Sequence, residues 1–464
     1  MSFGTIRIAL SGITAMQNAL EVTGHNIVNV DTEGYHRQEA ILQTTIPYPT
    51  VGNPGASVGG QFGTGVTVEQ IRRLQDDFLE QQLRNTNGQY GRQSTLQDSL
   101  SQIESFISPG TSIDISSMLD KFFSAWDVLS SHPEEESSRL NVRSSAVNLV
   151  NILNDSSSKL DYMSSLTESN IQDTVDRINL LADNLASLNA QIGMAKEEGR
   201  SPNDLLDQRS SVLTELTSLT GASSLALNAE STSVTNIGSR PLVEGNSAFH
   251  IKFDYVTDSD GIARKHILWA SDSQPADVLD GKLNAFFSIR DQVIPNYKSQ
   301  LNTISSALIT AVNAKHVTGY TMNGTTGQAF FGGTDAGSIH VDANILTDAR
   351  NIAATTTNNA AGDGSLATEI FNLNQQALIG SQTLNLAAQS IIGQIGNAVK
   401  SSQTSLNAVQ SLQSQLTEQQ QRASGVSLDE ELSNMLTYQR SYDSSARVLK
   451  AADEMIQSLL AIVQ

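Results

Sequence analysis

Cysteine is absent from this chain of 464 residues, aromatic residues make up 5% of it, and proline occurs only nine times. Without cysteine there is no disulfide, no thiolate nucleophile and no sulfur-ligated zinc or iron–sulfur centre. Basic residues are scarce too: 28 Lys and Arg against 48 Asp and Glu leave a net charge of −20. Such a field repels phosphate backbones and anionic membrane surfaces, so neither nucleic acid nor membrane is an expected partner. Nowhere are there the roughly 18 consecutive apolar residues that a membrane-spanning helix requires. The N-terminus lacks a basic stretch followed by an unbroken apolar one, so an ordinary cleavable signal peptide is not expected. With apolar residues at 39% and few aromatics, the core is expected to be mostly aliphatic and small.

All nine prolines fall between Pro47 and Pro295. Proline interrupts helical hydrogen bonding, so both chain ends are free to form long helices. Periodicity supports this. Ile6, Ile13, Leu20 and Ile27 recur every seven residues, with Ala9, Met16, Thr23 and Val30 as a second stripe. Met435, Tyr442, Leu449, Ile456 and Val463 do the same at the other end, accompanied by Tyr438, Ser445, Ala452 and Leu459. A narrow stripe of this kind favours another helix as partner, first the opposite terminus and then copies from other chains. Short heptad runs with Thr, Ser and Ala in the seam are marginal alone, so the ends are expected to order only on assembly.

Further in, Ile71, Leu74, Phe78, Leu79, Leu83, Leu96, Leu100 and Ile103 predict a long helix ending near Pro109. Residues 161–196 predict a second. Leu205 to Leu219, Leu283 to Val317 and Ala377 to Gln421 give further helices with polar outer faces, as in a bundle. Between Ala222 and Gln274 the pattern changes to short strands, including a hairpin turned by Asp258-Ser259-Asp260-Gly261. A second hairpin is predicted within Gln328 to Val341.

Motifs for chemistry are missing. The histidines at 25, 36, 132, 250, 266, 316 and 340 are scattered, and His250 and His266, on neighbouring strands, read as surface polars rather than a metal pair. Asp258 to Gly261 lacks the later ligands of a calcium loop, and Gly59 to Gly65 lacks the Lys-Ser/Thr of a phosphate cradle. Asp429-Glu430-Glu431 is accounted for by a helix N-terminus. No enzyme, cofactor or metal is expected.

Two stretches carry a specific likeness. Residues 10–38, with Asn26-Ile27-Val28-Asn29, Thr32, Gly34 and Tyr35, resemble the N-terminal signature of bacterial flagellar rod, hook and hook-associated axial proteins. Residues 424–442, continuing to Met455, resemble the ending of the hook-associated protein 1 family, and Gly63 to Arg84 and Leu205-Leu206-Asp207-Gln208-Arg209 are similar to the same family. Glu33 replaces the usual proline, so the turn relies on Gly34, and His36 stands where a small Ser is common. The chain is short for the family, which implies a missing or reduced outer domain.

The resemblance implies a secreted structural subunit of the extracellular flagellum, exported by the flagellar type III route and seated at the hook–filament junction. Implied partners are other copies in a ring or helical oligomer, hook protein, the second junction protein and an export chaperone. The implied fold is mainly α with a β-rich insert and nested domains. Residues 1–35 and 428–464 form a terminal coiled coil, 36–221 and 281–427 a long-helix bundle, and 222–280 a β-rich outer domain. The expected assembly seam is Ile6, Ile13, Leu20, Ile27, Met435, Tyr442, Leu449, Ile456, Leu459 and Val463. Asn26, Asn29, Gly34, Tyr35 and Arg37 form the expected turn out of the terminal helix. The alternatives are another axial protein, such as a hook protein, or a secreted adhesin or hydrolase working through the β insert.

Overall fold

The computed structural model describes residues 2–46, 63–107, 114–226, 233–257, 261, 263–278, 280–360 and 362–463; the side chains of 2, 3, 223–226, 233, 234, 459, 462 and 463 fall outside that description. In chain order the elements are α1 (Ser2–Val28), β1 (Gln38–Thr44), β2 (Val66–Arg73), α2 (Asp77–Ile107), α3 (Ile115–Ser131), α4 (Glu136–Glu197) and α5 (Asn203–Thr220). Six strands follow: β3 (Ser223–Ala226), β4 (Ser233–Ile237), β5 (Arg240–Glu244), β6 (Ser247–Ala248), β7 (Ile251–Thr257) and β8 (Ala263–Trp269). Then come α6 (Gly281–Ser288), α7 (Ile294–His316), β9 (Phe331–Gly332), β10 (His340–Val341), α8 (Ala343–Thr347), α9 (Ser365–Phe371), α10 (Leu384–Ser424) and α11 (Leu428–Val463). The protein is mainly α, with small antiparallel sheets.

Two compact units divide the chain: 1–88, 177–279 and 410–464 in the first, and 89–176 with 280–409 in the second. This differs from the expected three parts, because the β-rich stretch belongs with the chain ends. The reason lies in α4, whose C-terminal part anchors the strands. Asn179 exchanges two hydrogen bonds with the Ile251 backbone at 2.8 and 2.9 Å, and Asn189 donates to the Gly245 carbonyl at 2.6 Å.

The expected helix from Ile71 begins later. Val66, Val68 and Ile71 lie in β2, which pairs with β1 from Gln38↔Arg73 to Thr44↔Val66. The Asp76 carboxylate accepts from the Phe78 and Leu79 N–H groups at 3.1 Å, capping α2 and preventing its extension backwards. Strands β7 and β8 form the expected hairpin, Ile251↔Trp269 to Thr257↔Ala263; residues 258–260 of its turn lie outside the described residues. His250 and His266 do not face each other: His266 is opposite Asp254, and His250 bonds Asp183 at 2.9 Å. The second expected hairpin is the short β9–β10 pair.

The second unit holds the larger core, and there the few aromatics are concentrated. Phe122, Phe123, Trp126, Phe330 and Phe331 are fully buried, with ring centres 4.8 Å apart for Phe330–Phe331 and 5.4 Å for Trp126–Phe330. A mostly aliphatic core was expected, and the cluster is mostly Leu, Ile, Val and Ala, with its aromatics gathered in one place. Edge-on stacking of this kind adds about 0.5–1.5 kcal/mol per pair beyond burial. His316 packs among these rings, and its Nε2 accepts from the Ala353 N–H at 2.9 Å.

Candidate functional site

The heptad stripes place the two chain ends together. Helix α1 packs on α11 with Gly12 beside Ser445 and Asn26 beside Glu431, so the helices run antiparallel. A Cβ on Gly12 would lie 2.9 Å from Ser445 Oγ, which shows how closely the backbones approach there. Ala19 and Val22 are buried against Ala40 of β1, with Val68, Ile71 and Tyr438 packed around them. One face of α1 therefore meets the β1–β2 hairpin as well as α11.

The seam residues are not the most buried ones. Ile6, Ile13, Leu20, Ile27, Met435, Tyr442, Leu449 and Ile456 are all half-buried, whereas Ala9, Met16, Thr23 and Ala452 of the second stripe are buried. The smaller residues make the tight contact and the larger ones flank it. Leu459 and Val463 lie in α11, but their side chains are outside the described residues.

All five expected turn residues converge. Asn26, 1% exposed, donates from Nδ2 to the Gln38 carbonyl at 2.8 Å and to Glu431 at 3.1 Å, while its Oδ1 accepts from the Gln38 N–H at 2.9 Å and Tyr35 Oη at 2.7 Å. Asn29 donates to the His25 carbonyl at 3.0 Å, closing the end of α1. Tyr35 N–H donates to the Thr32 carbonyl at 3.2 Å, and Gly34 takes φ +79°, a conformation open to glycine at little cost. Arg37 bonds Glu431 through Nε at 2.7 Å and Glu430 through Nη1 at 2.8 Å. Its N–H donates to the Ser424 carbonyl at 3.0 Å, so the turn also holds the link between α10 and α11.

Sequence reasoning missed a buried ionic cluster beside this turn. His36 Nδ1 lies 2.8 Å from Asp207 and Nε2 lies 3.0 Å from Glu80. Arg73 reaches Asp207 at 2.6 Å and Glu80 at 3.4 Å, and Arg84 reaches Glu80 at 3.3 Å. Burial disfavours the charged imidazole, but its bonds to Asp207 and Glu80 outweigh that and raise His36 from 6.5 to about 8. Burial likewise works against the Glu80 charge, and His36, then Arg73, overcome it, holding the carboxyl at about 2. The cluster joins the exit turn, β2, α2 and α5. His36 belongs to the N-terminal stretch 10–38, and the other members come from Gly63 to Arg84 and Leu205 to Arg209, the two internal stretches already singled out by resemblance; their chain separation hid the pairing.

Family models match these same parts. The flagella basal body rod protein model matches residues 6–36, the flagellar basal body rod FlgEFG protein C-terminal model matches 419–462, and the flagellar hook-associated protein FlgK helical domain model matches 100–331. Flagellar hook-associated protein 1 of Bacillus subtilis (strain 168) is 30% identical, over 99% of this chain and 97% of the relative. The chain belongs to the flagellar hook-associated protein 1 family. Flagellar hook-associated protein 1 of Salmonella typhimurium is 26% identical, over 98% of this chain and 99% of the relative. These alignments, 504 and 558 positions long, exceed the 464 residues available, so they contain gaps opposite residues that this member of the family lacks. In fold, the chain is similar to the flagellar hook junction protein FlgK from Burkholderia pseudomallei, with a TM-score of 0.65 and 17% identity over 75% of this chain and all of that one. Hook-associated protein 1 membership makes this a structural protein of the flagellum.

Proposed function

We propose that this chain is the subunit of the hook–filament junction, seated on the distal end of the hook and presenting the base on which the filament is built. The observation that carries the reading is the antiparallel α1–α11 pair, closed by Asn26, Arg37 and Glu431, with large apolar side chains still exposed along it. Exposed Leu and Ile on paired terminal helices favour burial by further copies. Half-buried Ile6, Ile13, Leu20, Ile27, Met435, Tyr442, Leu449 and Ile456 then deepen the same seam.

Hook protein on one side and the second junction protein on the other complete the arrangement, with an export chaperone holding the apolar ends before assembly. The site lies outside the cell, reached by flagellar export. The net charge of −20 suits a chain that stays dispersed until its seams meet. The subunit acts by packing, without catalysis. Electron micrographs of a strain lacking this gene are expected to show complete hooks without filaments, with filament protein shed into the medium. Normal filaments in that strain would overturn the proposal, and missing hooks would favour the hook-protein alternative.

A further inference from the structure

The sequence contains two Asn-Gly pairs, Asn87-Gly88 and Asn323-Gly324, and the fold treats them in opposite ways. The pair matters chemically because glycine has no side chain to shield its backbone nitrogen. That nitrogen can reach the carboxamide carbon of the preceding asparagine and close a five-membered ring.

Asn87-Gly88 is held. Both residues lie inside α2, where each N–H bonds the carbonyl one turn back and the backbone is fixed. Asn87 Oδ1 accepts from Gln413 Nε2. Gly88 is buried, and a Cβ on it would lie 3.3 Å from both Gly221 Cα and the Thr217 carbonyl oxygen, so the rotation that closes the ring has no room.

Asn323-Gly324 is presented at the tip of a turn in the second unit, between Tyr320 and Thr326, which pair antiparallel. The Gly324 N–H donates to the Thr321 carbonyl at 3.0 Å, and the Thr321 N–H to the Thr325 carbonyl at 2.8 Å. Gly324 has φ +72°, and a Cβ there would lie 3.2 Å from Asn359 Oδ1. The turn therefore selects glycine at 324, and with it an unshielded nitrogen. Asn323 is exposed, and its carboxamide makes no hydrogen bond among the described residues. Freeing the Gly324 nitrogen requires only the Thr321 bond to open, an event from the low end of local stability.

We propose that Asn323 is a self-modification site, converted through a cyclic imide to aspartate and isoaspartate with water as the only co-reactant. Hydroxide takes the proton of the Gly324 N–H, and the nitrogen attacks Asn323 Cγ. The N–Cγ bond forms, the Cγ–Nδ2 bond breaks, and Nδ2 leaves as ammonia with a proton from solvent. Water then opens the imide. Breaking the new bond gives aspartate; breaking the original peptide bond gives isoaspartate, whose main chain runs through Cβ and Cγ and is one carbon longer. Either product carries one more negative charge than asparagine. The extra carbon breaks the bonds that close the turn. The rows beneath are made by other residues, the Tyr320 N–H donating to the Thr355 carbonyl and the Gly327 N–H to the Gly319 carbonyl, each at 2.8 Å. The change is thus confined to the tip and accumulates with the age of each copy. It needs no partner, and so stands apart from the junction reading.

The purified full-length chain tests this when held at neutral and at mildly alkaline pH, in buffer and in urea, then digested with pepsin in acid, where the reaction stops. Mass spectrometry is expected to show a gain of one mass unit at Asn323, faster at the higher pH. In buffer it should be at least about tenfold faster than at Asn87, and in urea, which melts α2, the two rates should converge. Asn323→Gln, which would need a larger ring, is expected to remove the signal. Conversion in buffer as fast at Asn87 as at Asn323, or conversion of Asn323 only in urea, would overturn the proposal. In converted chains hydrogen exchange should quicken at Thr321 and Gly324 and stay unchanged at Tyr320 and Gly327. Lost protection at Tyr320 would overturn the confinement to the tip.

Discussion

Asn26 and Glu431, 405 positions apart in sequence, are joined by a hydrogen bond of 3.1 Å, and Glu431 is only 2% exposed. The same carboxylate takes the Arg37 guanidinium at 2.7 Å, so one buried acid holds both the end of α1 and the turn that follows it. Replacing Glu431 with Ala removes one acceptor from the Asn26 amide and the acceptor of Arg37 Nε, leaving Asn26 its bond to the Gln38 carbonyl and Arg37 its bond to Glu430, at a cost of about 2 kcal/mol. The expected result is faster amide hydrogen exchange in residues 20–38, with exchange in α3 unchanged. Equal protection in mutant and wild type would show that the helix pair does not depend on this bond.

The His36 cluster makes the first unit sensitive to alkali. His36 is raised from 6.5 to about 8, so its contribution is complete below pH 6.5 and is lost as pH rises through 8. The expected loss is about 2 kcal/mol between those values. Arg73 Nη2, 2.9 Å from Nδ1, opposes the proton, but the Asp207 and Glu80 carboxylates prevail. Urea midpoints followed by hydrogen exchange in β2 should fall between pH 6 and 9, and His36→Gln should remove most of that slope. An unchanged slope in the variant would assign the effect to another group.

The second unit is expected to respond in the opposite direction. Burial lowers His316 from 6.5 to about 4, despite its bond to the Gln328 carbonyl. Here the unfolded chain binds the proton first, so stability falls as pH drops from 6.5 towards 4, by about 3 kcal/mol. Trp126, whose ring centre is 6.3 Å from that of His316, should report this as a fluorescence transition that moves to lower urea concentration in acid. A midpoint independent of pH over this range would contradict the assignment.

Much of the helical layout was legible in the sequence because seven-residue spacing at both ends is a strong signal and proline is absent there. The five turn residues were legible through their family pattern. The β1–β2 hairpin was not, since Ile71 and Leu74 happen to continue the helical spacing of Leu79 and Leu83, and only Asp76 marks the stop. Nor was the His36 cluster: His36 and Asp207 are 171 positions apart, and nothing local to either signals the other. The aromatic cluster was hidden similarly, because Phe122 and Phe330 meet only once α3 and the segment after α7 have folded together.

Gly65 lies where the β1–β2 hairpin approaches α1, and the Val66 N–H beside it donates to Ser11 Oγ at 3.2 Å. Alanine there meets Ser11 and must hold a φ of +119°, which side chains rarely adopt. Gly65→Ala is expected to cost about 1–3 kcal/mol and to loosen β2 from α1. Thermal unfolding would measure the cost, and adding Ser11→Ala should recover part of it by removing the clash while leaving the backbone strain. No loss in the single variant would mean that the hairpin sits free of α1.

Immunogold labelling of intact flagella with an antibody against the second unit locates the subunit directly. A single band of gold between hook and filament is the predicted result. Gold along the whole hook, or along the filament, or none on the flagellum, would contradict the assignment to the junction.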